Sequence, residues 1–242
     1  MKLLENKVAL ITGASRGIGK SIAEELYSQG ATIIVTYKEN SALAEQVIDI
    51  DPTKKSGIYE LDVSSITSIR ALVEQVKNRY GQIDILVNNA GINKPNDFDK
   101  ISDDDWDEVL STNLKGPFML CRECLPLLKD KTSSIINISS VSGQYGGPRT
   151  THYAVSKSGL LTLTQNLAIF CASRQIRVNA VSPGLIESEM AGAAKGLGVE
   201  EKILLKRMGK SSEVAQTVAF LASDMASYIT AQTINVNGGL YF

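Results

Sequence analysis

Thr12-Gly13-Ala14-Ser15-Arg16-Gly17-Ile18-Gly19 is the stretch on which the fold turns. It follows the β-branched, apolar run Val8–Thr12 and opens a helical pattern predicted over 17–29. Glycines here let the backbone turn tightly and approach a phosphate, while a helix N-terminus offers free N–H groups and the positive end of its dipole. A glycine-rich loop says little alone. Set between a strand and a helix, it predicts a dinucleotide-binding turn.

Outward from that loop the same unit repeats. Strand-like runs are predicted at Val8–Thr12, Thr32–Thr36, Gly57–Leu61, Ile83–Val87, Ser134–Ile138, Arg177–Ala180 and Thr233–Val236. Helical patterns fall between them at 17–29, 41–50, 65–80, 103–128, 152–173 and 212–223. Runs that are apolar throughout, rather than alternating, imply strands covered on both faces. Alternating strands and helices imply a parallel sheet with right-handed crossovers. The expected fold is therefore α/β, a doubly wound Rossmann-type seven-stranded parallel sheet flanked by helices.

At 242 residues, 43% of them hydrophobic and 21% charged, the chain suits one domain over 1–242, and no linker-like segment divides it. A net charge of −1 offers no electrostatic reason for a nucleic-acid or membrane partner. The charged start Met-Lys-Leu-Leu-Glu-Asn-Lys argues against a secretory signal, so the expectation is a cytoplasmic protein. Cys121 and Cys124 form a Cys-x-x-Cys, but with one further cysteine and one histidine in the chain a zinc site lacks ligands. They are expected to be small packing residues of a helix, and no metal is expected. Residues 184–210 carry five glycines between the sixth and seventh strands. An excursion there, beyond the carboxyl ends of strands, is where a substrate lid would lie.

Tyr153 and Lys157 are four residues apart in a helical pattern and so project from one face. A nearby ammonium favours a phenolate, which predicts that Lys157 lowers the pKa of Tyr153 toward the working range. The second strand ends Val35-Thr36-Tyr37-Lys38 with no carboxylate before Glu39. A carboxylate there would bind the ribose hydroxyl of NAD and repel a 2′-phosphate. Arg16 and Lys38 would instead attract that phosphate, the arginine bidentately. NADP(H) is the expected cofactor.

These segments together resemble the short-chain dehydrogenase/reductase family. The resemblance rests on T-G-x-x-x-G-x-G at 12–19, Asn88-Asn89-Ala90-Gly91 after the fourth strand, and Asn113 in Asn113-Leu114-Lys115-Gly116. It rests further on Ser140 thirteen residues before Tyr153, on Tyr153-Ala154-Val155-Ser156-Lys157, and on Pro183-Gly184 after the sixth strand. The family's roles imply Tyr153 as general acid/base, Lys157 tuning it and holding the nicotinamide ribose, Ser140 steadying the substrate oxygen, and Asn113 holding a relay water. Ser139 stands beside Ser140 as an alternative; the Ser-Val-x-Gly context selects Ser140. The cofactor contacts implied are Gly13, Ser15, Arg16, Gly17, Ile18, Gly19, Tyr37, Lys38, Asp62, Val63, Asn88, Ala90, Gly91, Tyr153, Lys157, Pro183, Gly184, Ile186 and Ser188. His152, the single histidine, would point about 100° from Tyr153 and is not expected to catalyse.

Within that family the chain looks most like the 3-oxoacyl-acyl-carrier-protein reductases, on Asn137-Ile138-Ser139-Ser140-Val141-x-Gly143, Asn179-Ala180-Val181-x-Pro183-Gly184 and the terminal Asn235-Val236-Asn237-Gly238-Gly239-Leu240-Tyr241. This resemblance implies an acyl carrier protein as partner, docked on basic residues matching Lys129 or Lys131 and Arg174, and a homotetramer with the terminal turn against a neighbouring subunit. Two stretches depart from the pattern: Gly146-Gly147-Pro148-Arg149-Thr150-Thr151-His152, and the lid segment Ile203-Leu204-Leu205-Lys206-Arg207. Both face the substrate, which leaves a sugar, polyol or secondary-metabolite ketone as the alternative. A non-catalytic NADP-binding regulator is the other; such proteins usually lose the tyrosine or lysine. An epimerase of similar fold would be expected to carry a further substrate domain.

Overall fold

The computed structural model describes residues 2–187 and 199–242. Seven parallel strands stand in the order β3-β2-β1-β4-β5-β6-β7: β1 Val8–Ile11, β2 Thr32–Tyr37, β3 Gly57–Glu60, β4 Ile85–Asn88, β5 Ser134–Ile138, β6 Arg177–Pro183 and β7 Thr233–Val236. The helices are α1 Gly17–Ser28, α2 Ser41–Ile48, α3 Ile66–Tyr80, α4 Asp103–Leu110, α5 Gly116–Cys124, α6 Ser142–Tyr145, α7 Thr151–Cys171 and α8 Ser211–Ala222.

Every predicted strand is present, shifted by a few residues at its ends. β1, β2, β4, β5 and β6 bury both faces, as uninterrupted apolar runs require, while β3 and β7 at the edges are mostly half-buried. Ala9, Ile11, Ile33, Val35, Ile85, Val87 and Ile136 face α1, α2 and α8. Leu10, Ile34, Leu86, Ile135 and Val178 face α3, α5 and α7. The chain runs outward from β1 to β3, then returns to place β4 on the other side of β1. Loops leaving β1 and β4 therefore diverge and open a crevice at the carboxyl ends of the strands.

One predicted helix is broken. The pattern over 103–128 folds as α4, a π-helical turn at Ser111–Lys115, α5, and a 3₁₀ turn at Leu125–Leu127. A wider turn adds a residue without disturbing the apolar stripe on either side, so the periodicity conceals it. Cys121 and Cys124 lie buried on the inner side of α5, as expected of packing residues. Burial pushes the Cys121 thiol up to about 12.

Candidate active site

The loop from Thr12 to Gly19 lies at the mouth of the crevice. Thr12 Oγ1 accepts from the backbone N–H of Asn89 (2.9 Å) and of Ala90 (3.0 Å). Asn89 Nδ2 donates to the carbonyls of Thr12 (2.9 Å) and Gly13 (3.0 Å). These two side chains tie the β1 and β4 loops together across the switch point. Neither was among the expected contacts, although both lie inside the motifs that carried the reading. A Cβ on Gly19 would overlap Asn89 Nδ2 and the Gly13 carbonyl oxygen, so only glycine allows this closure.

Gly17 begins α1 at φ +56°, and nothing lies within 4 Å of where its Cβ would stand. Arg16 precedes the helix and has no acceptor with which to cap the first N–H groups, and the first turn carries no acidic residue. Open space before uncapped N–H groups fits a pyrophosphate. Ser15 is half-buried in the loop, and Ile18 packs on the core beside it.

At the adenosine end, Tyr37 closes β2 and Val63 is buried after β3. Lys38 Nζ lies 3.0 Å from Asp62 Oδ2. The hydrogen bond to Asp62 raises the Lys38 pKa. Burial works to raise that of Asp62, but hydrogen bonds from Ser64 and Lys38 outweigh it and hold the carboxyl below its ordinary value. Two expected cofactor contacts thus pair with each other, and the free basic charge expected of Lys38 is already engaged.

Asn88 departs further from expectation. Its side chain turns away from the crevice: Nδ2 donates to Asn137 Oδ1 (2.7 Å) and to Cys121 Sγ (3.2 Å). The reason is the strand's period of two, which sends alternate side chains to opposite faces. Ala90 and Gly91 come next and line the crevice half-buried; a Cβ on Gly91 would stand 3.4 Å from Lys157 Nζ.

The expected catalytic residues converge. Lys157 is buried in α7, its Nζ donating to the Ile138 carbonyl (2.8 Å) and lying 5.7 Å from the Tyr153 ring centroid. Ser140, just past β5, accepts from Ser142 N through its Oγ (3.2 Å) and acts on the Tyr153 hydroxyl, whose pKa it pulls down. Asn113 is fully buried in the π turn. Its amide accepts from Ile92 N (2.9 Å) and donates to Ile92 O (2.9 Å) and Ser156 Oγ (3.1 Å). This side chain is spent on fixing the β4 loop against α7.

The electrostatics reverse one expectation. Burial raises the pKa of Tyr153, with the Ser140 hydrogen bond opposing it, and burial lowers that of Lys157 to about 8. The predicted downward pull of the ammonium on the phenol is not found. Desolvation dominates both groups, because burial disfavours the charged form of each, phenolate and ammonium alike.

Pro183 ends β6, and Gly184 N donates to Val236 O (3.0 Å). Ile186 is buried and bridges to Gly209, where Glu187 N donates to Gly209 O (2.9 Å) and Gly209 N to Leu185 O (2.9 Å). The two ends of the predicted lid are thereby tied together. Ser188 and residues 189–198 of that lid lie outside the described residues. The terminal turn packs within its own chain, where Leu205 N donates to Gly238 O (3.1 Å).

The expected carrier-docking residues do not gather at this mouth. Lys129 and Lys131 precede β5 and Arg174 precedes β6, at the amino ends of the strands. Arg174 is moreover occupied, donating to Asp130 Oδ1 (2.7 Å) and Leu125 O (2.9 Å). His152 is fully buried, and among the described residues neither of its ring nitrogens has a hydrogen-bond partner.

Known proteins resemble this chain over nearly its whole length. Residues 13–241 match the family model described as enoyl-(acyl carrier protein) reductase. The chain is 42% identical over 242 residues to a 3-oxoacyl-[acyl-carrier-protein] reductase of Staphylococcus epidermidis, covering 98% of this chain and 99% of the relative. It is 41% identical over 241 residues to that of Salmonella typhimurium, covering 98% of each. Among solved structures it is similar to a short-chain dehydrogenase/reductase, glucose/ribitol dehydrogenase, of Brucella melitensis, with TM-score 0.92 and 36% identity over 100% of both chains. It is also similar to a blue fluorescent protein from a metagenomic library in complex with NADPH, with TM-score 0.94 and 32% identity over 99% of this chain and 100% of that one.

Proposed function

The chain belongs to the short-chain dehydrogenase/reductase family, and from that premise we propose that it is an NADP(H)-dependent 3-oxoacyl-[acyl-carrier-protein] reductase. The observation that carries the reading is the meeting of Ser140, Tyr153 and Lys157 beside the open N-terminus of α1. The near-full-length identity to reductases so named carries the substrate.

NADPH, when bound, supplies the hydride. Gly17, Ile18 and the N-terminal turn of α1 would hold its pyrophosphate, Arg16 its 2′-phosphate, and Asp62 with Val63 its adenine side. Lys157 would hold the nicotinamide ribose, and Pro183, Gly184 and Ile186 the carboxamide, with Ser188, outside the described residues, as the further contact that the family resemblance implies. The substrate ketone accepts hydrogen bonds from the Ser140 hydroxyl and the Tyr153 hydroxyl. As charge develops on that oxygen, Tyr153 delivers its proton. A raised phenol pKa keeps the proton on Tyr153 until then, which suits the reductive direction. Lys157, close behind the ring, then stabilises the phenolate that is left. Asn113 holds the loop and α7 in register around them.

Residues 1–242 act as one catalytic domain in this reading, with 184–210 as its substrate lid. The assembly is a homotetramer, for which exposed Met225, Tyr228 and Phe242 offer apolar contact area. The acyl carrier is the partner. Among the described residues no helix is long and apolar enough to cross a membrane; the cytoplasm is the proposed location. The test is NADPH oxidation against acetoacetyl thioesters and a panel of sugar and polyol ketones. Turnover of the thioesters is expected. Turnover of a sugar or polyol ketone with none of any thioester would replace the carrier-linked substrate with the alternative class.

A further inference from the structure

Ser139 and Ser140 are adjacent hydroxyls, and the tertiary structure gives them different work. Ser140 acts on the Tyr153 hydroxyl, whose pKa it pulls down against burial. Ser139 is buried, and its Oγ donates to the backbone carbonyl of Lys157 at 2.8 Å. In the opposite sense, Lys157 Nζ donates to the carbonyl of Ile138 at 2.8 Å. Two consecutive residues at the end of β5 therefore grip one residue of α7 at both its backbone and its ammonium.

The grip has a third side and a second anchor. A Cβ on Gly143 would stand 2.7 Å from the Lys157 carbonyl carbon, so α6 lies directly against the same peptide. Lower on α7, Asn137 Nδ2 donates to Thr164 Oγ1 at 2.8 Å, and Thr164 Oγ1 donates to Leu160 O at 2.8 Å. Asn137 and Ser139 share one face of the strand end, where side chains alternate. Thr164 and Lys157 are seven residues apart and share one face of the helix. The period of the strand is thus keyed to the period of the helix at two points, both polar and both buried. Apolar packing alone would tolerate a small slide of α7 along the sheet; two directed hydrogen bonds resist it.

We propose that Ser139 is a positioning residue for proton transfer: by holding the Lys157 carbonyl it sets the height of α7 on β5, and with it the placement of Tyr153 against Ser140. This rests on the reading of Tyr153 as proton donor. A misplacement of about 1 Å at a reacting group costs on the order of 10²-fold in rate, so a hydroxyl that touches no substrate still bears on turnover.

The experiment compares Ser139→Ala and Ser139→Thr with the unaltered chain in two ways. The first is thioester reduction. In Ser139→Ala kcat falls by about tenfold or more, and Ser139→Thr, which keeps a hydroxyl donor, recovers most of it. The second is the titration of the Lys157 side-chain nitrogen, followed by NMR on isotopically labelled protein without substrate. Burial lowers the Lys157 pKa to about 8 in the unaltered chain; in Ser139→Ala the midpoint is expected to move upward, because a loosened helix lets water reach the ammonium. An unmoved midpoint overturns the proposal, and so does an unchanged kcat where the unaltered chain turns over. If the unaltered chain reduces no ketone, the functional reading fails, and the titration by itself decides whether Ser139 seats the lysine. Should Ser139→Ala not fold, Ser139→Cys, a weaker donor, is read by the same two measures with smaller shifts.

Discussion

Ser140, Tyr153 and Lys157 each owe their chemistry to a neighbour that the sequence does not place next to them. The lysine reaches the ring from one turn along its own helix, but its hydrogen bond goes to Ile138, nineteen residues earlier. Tyr153→Phe keeps the ring and its packing and removes the transferable proton. Turnover of NADPH is expected to fall by about 10²–10⁴-fold while NADPH binding, followed by fluorescence titration, stays close to that of the unaltered chain. Retained turnover would remove Tyr153 from the proton-transfer role. Cofactor choice belongs to this scale as well. Lys38 is engaged by Asp62, and Arg16, whose guanidinium can take a phosphate bidentately, is the residue expected to discriminate. Arg16→Ala should raise the KM for NADPH by about tenfold or more and leave that for NADH nearly unchanged, the loss of one charge-assisted contact. Equal rises would contradict a 2′-phosphate contact.

The π turn at Ser111–Lys115 matters as an element. It directs Asn113 inward, where one amide satisfies both the N–H and the C=O of Ile92 and reaches Ser156 on α7. Ile92 lies in a loop and has no ladder partner to replace it. Asn113→Ala would remove the partner of those partly buried groups, at a total cost of about 1–3 kcal/mol, since water can take up part of the loss. Urea unfolding should show a midpoint lowered accordingly, together with slower turnover as the β4 loop drifts from α7. An unchanged midpoint would mean that water replaces the amide without penalty.

For the molecule as a whole, the chemistry sits at the carboxyl ends of the strands and some of the tightest stabilising electrostatics sit far from it. Asp51, beyond α2, accepts from Thr53 N (2.9 Å), Thr53 Oγ1 (2.6 Å) and Ser56 N (2.8 Å). Burial acts to raise its pKa, but these bonds prevail and hold the carboxyl well below its ordinary value. The unfolded chain therefore binds this proton more readily than the folded one. The stabilisation is complete above the ordinary value of 3.8 and is lost as pH falls below it toward the folded pKa. Asp51→Asn should lower Tm at neutral pH, and the gap to the unaltered chain should close on acidification; a gap that stays constant down to about pH 2 would exclude the linkage.

Much of this was legible in the order of residues. A glycine loop between a β-branched run and a helical period determined the dinucleotide turn, because few backbones let a chain pass that close to a phosphate. Apolar runs without alternation determined a sheet covered on both faces, and a four-residue interval determined that Tyr153 and Lys157 share a side of one helix. Those are local properties, governed by φ/ψ freedom and by the periods of strand and helix. The tertiary structure alone decided the rest. It turned Asn88 inward, paired Lys38 with Asp62, hid a π turn inside an apparently continuous helix, and sent Lys129, Lys131 and Arg174 to the far end of the sheet. It also separated Ser139 from Ser140, one hydroxyl for the helix and one for the tyrosine. Each of these depends on which group from a distant segment arrives within hydrogen-bond reach, and on how much water burial removes. Spacing along the chain encodes neither.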